Sequence, residues 1–157
     1  MPPFIGIISD THGQLRPEAL DALKGSELII HAGDVGGEDI LPRLESIAPV
    51  HVVRGNVDYG DFGASLPLDA VVTWREKQLY VLHIFTELDL DPAAAGFHAV
   101  IYGHSHKPDI QTKEGVLYLN PGSAGPRRFS LPITVAHISL ANDGSLQATH
   151  VSLESTS

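Results

Sequence analysis

The chain has 157 residues, of which 43% are hydrophobic and 18% charged, the usual size and composition of one globular domain. It contains no Cys, which excludes disulfides and thiolate metal ligands. A net charge of -9 with only 10 Lys and Arg leaves no basic surface for long nucleic acid. No apolar run approaches the ~18 residues of a membrane span, and the N-terminus lacks the basic region of a secretory signal. We therefore expect one cytoplasmic domain over residues 1–157 and no contact with a membrane.

Short apolar runs alternate with helical patterns in the first third of the chain and follow one another closely in the rest. The runs predict strands at 4–9, 28–32, 50–53, 70–74, 79–84, 99–102, 116–119, 133–140 and 145–153. Helical spacing predicts helices at 16–23 and 38–47. The turn sequence Asn142-Asp143-Gly144 predicts a hairpin between the last two strands, and the polar tail 154–157 is expected to fray. A βαβαβ start followed by further strands indicates an α/β fold with two packed sheets covered by helices.

Polar residues follow several of these strands at the point where the apolar run ends. They are Asp10 and His12 after the first run, Asp34 after the second, Asn56 after the third, and His104 and His106 after the run 99–102; His83 lies near the end of its own run. Strand ends in α/β sheets open onto a shared crevice where ligands bind, so these side chains are expected to converge.

The converging residue types favour metal chemistry. Asp, His and Asn are the donors expected for Mn²⁺, Fe²⁺ or Zn²⁺, and the chain has nine His. Seven N and O donors exceed one four-coordinate site but suit two ions ~3.5–4 Å apart with a bridging carboxylate, for which we select Asp34. Such a pair brings the pKa of a shared water toward ~7, which predicts hydrolysis of a phosphate ester by attack of the hydroxide held between the metals.

The polar motifs, taken in order, resemble the signature of the calcineurin-like metallophosphoesterase superfamily. The motifs are Asp10-Thr11-His12, Gly33-Asp34, Gly55-Asn56-Val57-Asp58, His83 and Gly103-His104-Ser105-His106. The later Asn120-Pro121-Gly122-Ser123, followed by Arg127, is similar to the small prokaryotic phosphodiesterase branch. The resemblance covers residues 10 to about 128 and rests on five ordered motifs.

The resemblance implies a four-layer αββα sandwich of two mixed sheets flanked by helices, with a dinuclear metal site at one end of the sheets. It implies that Asp10, His12 and His106 bind one metal. Asn56, His83 and His104 would bind the second, and Asp34 would bridge. The expected cofactor is a pair of divalent cations, Mn²⁺ first, with Fe²⁺, Zn²⁺ or Ni²⁺ as alternatives, and the expected substrate is a small phosphodiester.

The predicted catalytic residues are Asn56, His104 and Asp58. Many relatives have a His directly after the motif Asn, which acts as an acid or contacts the phosphate. Here that position is Val57, and Asp58 is a candidate for orienting a ligand His or a water. The branch usually has Gly after the fifth-segment His, whereas this chain has Ile84-Phe85, which is expected to reshape the pocket wall.

Two other functions stay open at this stage. One is a catalytically weak or inactive metal-binding scaffold, because a eukaryotic retromer subunit resembles this fold and uses it for protein contacts. The other is a phosphomonoesterase. The oligomeric state is also open, with a homo-oligomer as one option.

The remaining basic residues have less specific interpretations. His31 is expected to pack beside the site rather than bind metal, and His51, His98, His137 and His150 are expected to be structural. Arg54, Arg127 and Arg128 stay divided between phosphate contacts and structural ion pairs.

Overall fold

The computed structural model describes residues 2–154, which form two mixed five-stranded sheets and a few short helices. The strands are β1 (Phe4–Ile8), β2 (Ile29–His31), β3 (Val50–Val52), β4 (Asp69–Trp74), β5 (Lys77–Leu82), β6 (Ala99–Ile101), β7 (Asp109–Lys113), β8 (Val116–Asn120), β9 (Thr134–Leu140) and β10 (Leu146–Ser152). The helices are α1 (Pro17–Leu23), α2 (Ile40–Glu45), α3 (Gly60–Ala64) and α4 (Pro92–Ala95), with a 3-10 turn at Phe85–Glu87. The predicted tail 154–157 lies outside the described residues except for Glu154.

Both sheets combine three adjacent parallel strands with two antiparallel strands. The first sheet has the order β10-β9-β1-β2-β3, in which β1, β2 and β3 are parallel. The second sheet has the order β4-β5-β6-β8-β7, in which β5, β6 and β8 are parallel. Parallel strands place their carboxyl ends at one edge, so the loops that carry the predicted ligands leave each sheet on the same side.

The strand period of two divides the buried side chains between two hydrophobic layers. Ile5 and Ile7 of β1 point between the sheets, where they pack with Leu79 and Val81 of β5. Ile8 points to the other face and packs against α1 and α2 through residues such as Leu23 and Leu44. The two helices are therefore held on the outer face of the first sheet by apolar burial.

A thinner layer covers the outer face of the second sheet. Tyr80, Leu82 and Val100 are buried there beneath Leu88 and Phe97 of the segment 85–97, which contains the 3-10 turn and α4. Asp91 caps α4 by accepting a hydrogen bond from the Ala94 backbone N–H at 3.4 Å. This segment is the second helical layer, and the predicted αββα sandwich of two mixed sheets is confirmed.

The predicted strands are all present within one or two residues at their ends, and both predicted helices are present but shorter. The hairpin prediction is also confirmed, because Gly144 has φ 87° and its N–H donates to the Ala141 carbonyl at 2.9 Å. The predictions did not include β7, α3, α4 or the 3-10 turn. Among residues 2–154, no helix has the length and apolar character needed to cross a membrane.

Candidate metal centre

Backbone hydrogen bonds join the two loops that follow β1 and β2. The Asp10 N–H donates to the Gly33 carbonyl at 3.0 Å, and the His12 N–H donates to the Asp34 carbonyl at 3.0 Å. The Gly13 N–H continues this ladder to the Val35 carbonyl at 2.8 Å. The pairing fixes the separation of the Asp10 and Asp34 side chains before any ligand is bound.

Five of the predicted ligands have a left-handed backbone, which non-glycine residues seldom adopt. They are Asp10 (φ 56°), His12 (φ 47°), Asp34 (φ 57°), His104 (φ 72°) and His106 (φ 64°). Asp and His accept this region more readily than most residues, but each position still raises the energy of the fold. Residues in such conformations are concentrated at functional sites, where the surrounding structure holds them.

Asp10, His12 and His106 form the first ligand cluster. The Nε2 atom of His106 lies 3.4 Å from Asp10 Oδ1 and 3.3 Å from His12 Nε2. Their donor atoms are mutually within 4.8 Å, the spacing of atoms around one ion. His12 and Asp10 come from the loop after β1, whereas His106 comes from the loop after β6, so both sheets contribute.

Asp34, His83 and His104 form the second cluster, and Asn56 completes it. The Nε2 atom of His83 lies 3.1 Å from Asp34 Oδ2. The side-chain oxygen of Asn56 lies 3.0 Å from His83 Nε2 and 3.1 Å from His104 Nδ1. The seven predicted ligands thus lie together in two adjacent groups.

Asp34 lies between these groups. Its Oδ2 atom is 3.1 Å from His83 Nε2 in the second cluster and 3.6 Å from His12 Nε2 in the first. Its other oxygen accepts a hydrogen bond from the Val57 N–H at 2.9 Å, which fixes the carboxylate plane. Asp34 is therefore adjacent to both clusters, as its predicted bridging role requires.

Two buried polar atoms of the first cluster that lack a hydrogen-bond partner test whether these residues fit a metal. Asp10 Oδ1 and His106 Nδ1 are buried and have no hydrogen-bond partner. Burial without a partner is unfavourable for a carboxylate oxygen, and Oδ1 faces the ring nitrogens of His12 and His106. A cation among these donors would satisfy the carboxylate oxygen, so the residues fit a divalent metal.

Hydrogen bonds outside the clusters orient the ligands. The Nδ1–H of His83 donates to the Ala32 carbonyl at 2.7 Å, which directs Nε2 into the second cluster. Asp10 Oδ2 accepts hydrogen bonds from Ser9 Oγ at 2.7 Å and from the His104 N–H at 3.1 Å. Because the Asp10 carboxylate contacts the His104 backbone, the two clusters are mechanically linked.

The charges of the site perturb the pKa values of its members. Burial would raise the pKa of Asp34, but hydrogen bonds from His83 and the Val57 N–H reverse this and lower it. Burial opposes protonation of His83, yet the hydrogen bond to Asp34 and the charges of Asp10 and Asp34 raise its pKa. Burial lowers the pKa of His106, and the charges of Arg128 and His12 lower this pKa further. The lowered pKa of Asp34 favours the ionised carboxylate, which is the form that can bind a metal.

Asp58 holds the ligand loops through the backbone. Its carboxylate accepts hydrogen bonds from the N–H groups of Val35 at 3.1 Å, Gly36 at 3.0 Å and Gly55 at 3.0 Å. It thereby ties the loop of Asp34 to the loop of Asn56. The role predicted from the sequence for Asp58, orienting a ligand His or a water, stays a prediction, as does any effect of Asp58 on catalysis.

Asn120 and Ser123 support the site in ways that the sequence did not reveal. The side-chain NH₂ of Asn120 donates to the Gly103 carbonyl at 3.2 Å and to Ser105 Oγ at 3.1 Å, which holds the loop of His104 and His106. Ser123 Oγ donates to the Asp10 carbonyl at 3.1 Å. The available signal was the Asn-Pro-Gly-Ser motif directly after an apolar run.

His31 is buried next to the site and lies outside both ligand clusters. Its Nδ1 accepts a hydrogen bond from the Gly33 N–H at 3.1 Å, so Nε2 carries the proton and faces Thr11 Oγ1 at 3.0 Å. Burial lowers the pKa of His31 to about 4, which keeps the ring neutral. The predicted packing role for His31 agrees with these contacts.

The other sequence-selected His and Arg residues make structural contacts. His137 donates to the Ala22 carbonyl and His150 to the Asn120 carbonyl, both at 2.7 Å, while His98 accepts from the Gln78 N–H at 2.9 Å. Arg127 pairs with Glu154, and Arg54 donates to the Ala64 and Leu66 carbonyls at 3.4 Å. Arg128 is the arginine whose charge acts on His106.

A cavity of about 410 Å³ opens beside the second cluster. Asn56 and His83 form part of its wall, together with Arg54, Tyr80, Ile84 and Glu87. Ile84, which stands where a Gly was expected from the resemblance, therefore lines the pocket as anticipated.

Comparison with known proteins identifies the class to which this fold and site belong. The family model of the calcineurin-like phosphoesterase superfamily domain matches residues 4–143. The chain therefore belongs to the calcineurin-like phosphoesterase superfamily, a family of phosphoester hydrolases that implies divalent metals.

The sequence relatives lie in the small prokaryotic branch. A probable metallophosphoesterase of Methanothermobacter thermautotrophicus is 36% identical over 141 residues, which cover 82% of this chain and 81% of the relative. The phosphodiesterase YfcE of Escherichia coli K12 is 31% identical over 140 residues, with 73% and 76% covered.

Solved structures share the fold at lower identity. A structure described as a novel archaeal phosphodiesterase superposes with a TM-score of 0.75 at 22% identity, covering 94% of this chain and 99% of that one. Vacuolar protein sorting 29 from Cryptosporidium parvum superposes with a TM-score of 0.73 at 19% identity, covering 96% and 97%. One fold thus occurs in proteins with differently named roles.

Proposed function

We propose that this chain is a phosphodiesterase that uses two divalent cations to hydrolyse a small phosphodiester. The observation that supports this most directly is the pair of ligand clusters that share Asp34 Oδ2, at 3.1 Å from His83 Nε2 and 3.6 Å from His12 Nε2. A mononuclear site would not need a carboxylate between two groups of imidazoles. The name of the YfcE relative adds the substrate class.

The residues of the chain divide the work of holding the cations. Asp10 and Asp34 supply the negative charge, which offsets part of the charge of two dications. Four imidazoles supply neutral nitrogen donors, and Asn56 supplies an amide oxygen. The imidazoles belong to His12, His83, His104 and His106. When bound, the two cations lower the pKa of water and stabilise the charge that develops on the phosphoryl oxygens.

The net reaction adds one water across a P–O bond. The oxygen of water bonds to phosphorus, one ester P–O bond breaks, and the departing alkoxide takes up a proton to become an alcohol. Val57 occupies the position where many relatives have a His, and its side chain has no proton to give. We therefore expect esters of acidic alcohols to react faster than esters of ordinary alcohols.

Three further properties belong to the proposal. Mn²⁺ is the metal expected first, with Fe²⁺, Zn²⁺ and Ni²⁺ as alternatives, because all suit mixed imidazole and carboxylate donors. The chain is expected to act as one domain over residues 1–157 in the cytoplasm. Homo-oligomer formation stays a prediction that light scattering of the purified protein would answer.

The test is hydrolysis of bis(4-nitrophenyl) phosphate and of 4-nitrophenyl phosphate by metal-stripped protein, with and without Mn²⁺. Activity restored by Mn²⁺ should fall by at least about 10²-fold in Asp34→Asn and in His104→Ala, because each removes a ligand. The matched controls are Asp21→Asn and His51→Ala, which change the same residue types at exposed positions away from the clusters.

The two substrates separate the alternatives. A higher kcat/KM on the diester supports a phosphodiesterase, whereas a higher kcat/KM on the monoester favours a phosphomonoesterase. Absence of turnover on both, with calorimetry showing two bound Mn²⁺ ions, would contradict the proposal. That outcome would favour a metal-loaded scaffold.

A further inference from the structure

The cavity beside the second cluster has a strongly acidic wall. Asp69, Glu87 and Asp89 line it, and all three side chains are exposed. Within residues 2–154, none of these carboxylates forms an ion pair with Lys, Arg or His. Within the described residues, the cavity wall therefore has three carboxylates that are not neutralised by an ion pair.

Within the described residues, the wall contains one arginine and no lysine, and the arginine forms its hydrogen bonds elsewhere. Arg54 donates to the carbonyls of Ala64 and Leu66, both at 3.4 Å, at the C-terminal end of α3. Arg54 is therefore directed to the helix end and not to the three carboxylates. Asp58, which also lines the cavity, already accepts three backbone N–H bonds and adds no free acceptor of its own.

Apolar and aromatic surface complements this charge. Leu68, Leu82 and Ile84 line the cavity with Tyr80. The Tyr80 hydroxyl donates to Asp69 Oδ2 at 2.6 Å, and burial together with Asp69 raises the pKa of Tyr80 to about 12, so the phenol keeps its proton. Carboxylates beside alkyl and aromatic surface are the environment that recognises an alkylammonium group.

The cavity also shares two side chains with the metal centre. Asn56 and His83 belong both to its wall and to the second ligand cluster. A substrate whose phosphate binds at the second cluster could therefore extend a substituent directly into the cavity. Its anionic part would lie at the metals and its remaining part against the carboxylates.

We propose that this cavity selects phosphodiesters in which the substituent retained after hydrolysis carries an alkylammonium group. The inference rests on the proposed phosphodiesterase function and names its substrate class. The phosphate binds at the two ligand clusters, and the cationic substituent binds against Glu87, Asp89 and Asp69. The reaction is the same addition of water across a P–O bond, and the product is a zwitterionic phosphomonoester.

The test compares two chromogenic diesters with the same leaving group, 4-nitrophenyl phosphorylcholine and its neutral isostere 4-nitrophenyl 3,3-dimethylbutyl phosphate. We expect kcat/KM of the Mn²⁺-loaded protein to be roughly five- to tenfold higher for the choline ester at low ionic strength, from three exposed charge interactions. The preference should shrink at 1 M salt, where the Debye length falls to about 3 Å.

The double variant Glu87→Gln/Asp89→Asn assigns the preference to this cavity. Both side chains are exposed, and neither forms an ion pair within residues 2–154, so the fold should tolerate the changes. The choline preference, which is the ratio of the kcat/KM values for the two diesters, should fall to about twofold or less. The control variant Glu18→Gln/Glu45→Gln removes the same charge from α1 and α2, outside the cavity, and should keep the preference.

Calorimetry of the same proteins supplies a readout that does not need turnover. Phosphocholine and 3,3-dimethylbutyl phosphate should bind the Mn²⁺-loaded protein with the same selectivity as the diesters. Equal kcat/KM values and equal binding would overturn the inference, as would a preference that survives in Glu87→Gln/Asp89→Asn. If neither diester is hydrolysed but phosphocholine still binds selectively, the proposed function fails and the cavity's selectivity stands.

Discussion

The two sheets contribute different chemistry to the same site. Loops of the first sheet carry both carboxylates of the candidate site, Asp10 and Asp34, together with Asn56 and His12. Loops of the second sheet carry only imidazoles, from His83, His104 and His106. The first sheet therefore provides the negative charge, and the second provides mostly neutral nitrogen donors.

Each candidate cluster takes its residues from both sheets. The first cluster joins Asp10 and His12 to His106 across the gap between the sheets, and the second joins Asp34 to His83 and His104. At the opposite ends of the strands, Glu27 of the first sheet contacts Trp74 and Arg75 at the tip of the β4–β5 hairpin. A metal would hold the sheets together at one end, while the Glu27 contacts hold them at the other.

Metal binding should give the largest effect on stability. Mn²⁺ at about 100 times its Kd should add about 2.7 kcal/mol for each site, which corresponds to a Tm roughly 10–20 °C higher with both sites filled. Calorimetry in EDTA and in Mn²⁺ measures the difference. Asp34→Asn should abolish most of it and His106→Ala about half, whereas His51→Ala should keep it. A full Tm shift in Asp34→Asn would contradict a carboxylate shared by both clusters.

Adding a methyl group where the sheets meet should come next. A Cβ on Gly33, which has φ 105°, would lie 2.6 Å from His83 Nδ1. Gly33→Ala should cost about 2–5 kcal/mol of unfolding free energy, combining backbone strain with the clash. Gly144→Ala is the control, since φ is 87° there and nothing lies within 4 Å. It should cost only about 1–2 kcal/mol. Equal losses in urea unfolding would show that contact with His83 is unimportant.

Within the first sheet, Asp58 allows the loop contacts to be tested separately from the metal ligands. Asp58→Asn replaces a carboxylate that accepts three N–H groups with an amide that presents its own N–H donors to them. We expect a loss of about 1–3 kcal/mol in urea unfolding of the metal-free protein. The exposed Asp61→Asn should change stability little, and a similar loss in both variants would argue against the backbone contacts as the cause.

The Glu27 contacts at the far end should give the smallest effect and a defined pH dependence. Hydrogen bonds from Arg75 and Trp74 lower the pKa of Glu27 from 4.5 to about 2. Because the folded-state pKa is the lower one, the stabilisation is present above pH 4.5 and is lost as the pH falls toward 2. Glu27→Gln should therefore lower the unfolding midpoint at pH 7 more than at pH 2.5. An equal difference at both pH values would contradict this linkage.

Much of the fold could be predicted from sequence because its buried strands are apolar and short. The runs that became β1, β2 and β6 are entirely buried, so composition alone located them. The strand β7 was missed because most of its residues are exposed and polar, and it is held by pairing with β8. The helices α3 and α4 were missed because helices of five and four residues have too little periodicity to recognise.

The candidate site could be predicted as a set of residues but not as an arrangement. Asp10, Asp34 and His104 directly follow predicted strands, which indicated that their side chains would converge, and they do. The bonds from the Val35 and Gly36 N–H groups to Asp58 and the hydrogen bond from Asn120 to the Gly103 carbonyl join segments far apart in sequence, so no local pattern contains them. The charge of the cavity wall was missed for the same reason, since Asp69 and Glu87 meet only in the folded chain.

The left-handed backbone of five predicted ligands limits how the candidate metal centre can be re-engineered. A library built to change the metal preference should allow only Asn, Asp, His or Gly at positions such as Asp10 and His104, because these residues tolerate positive φ. Cys and branched donors such as Thr would have to move the loop before they could bind. His83 is not among the positive-φ residues, so a larger set of amino acids could be screened first at position 83.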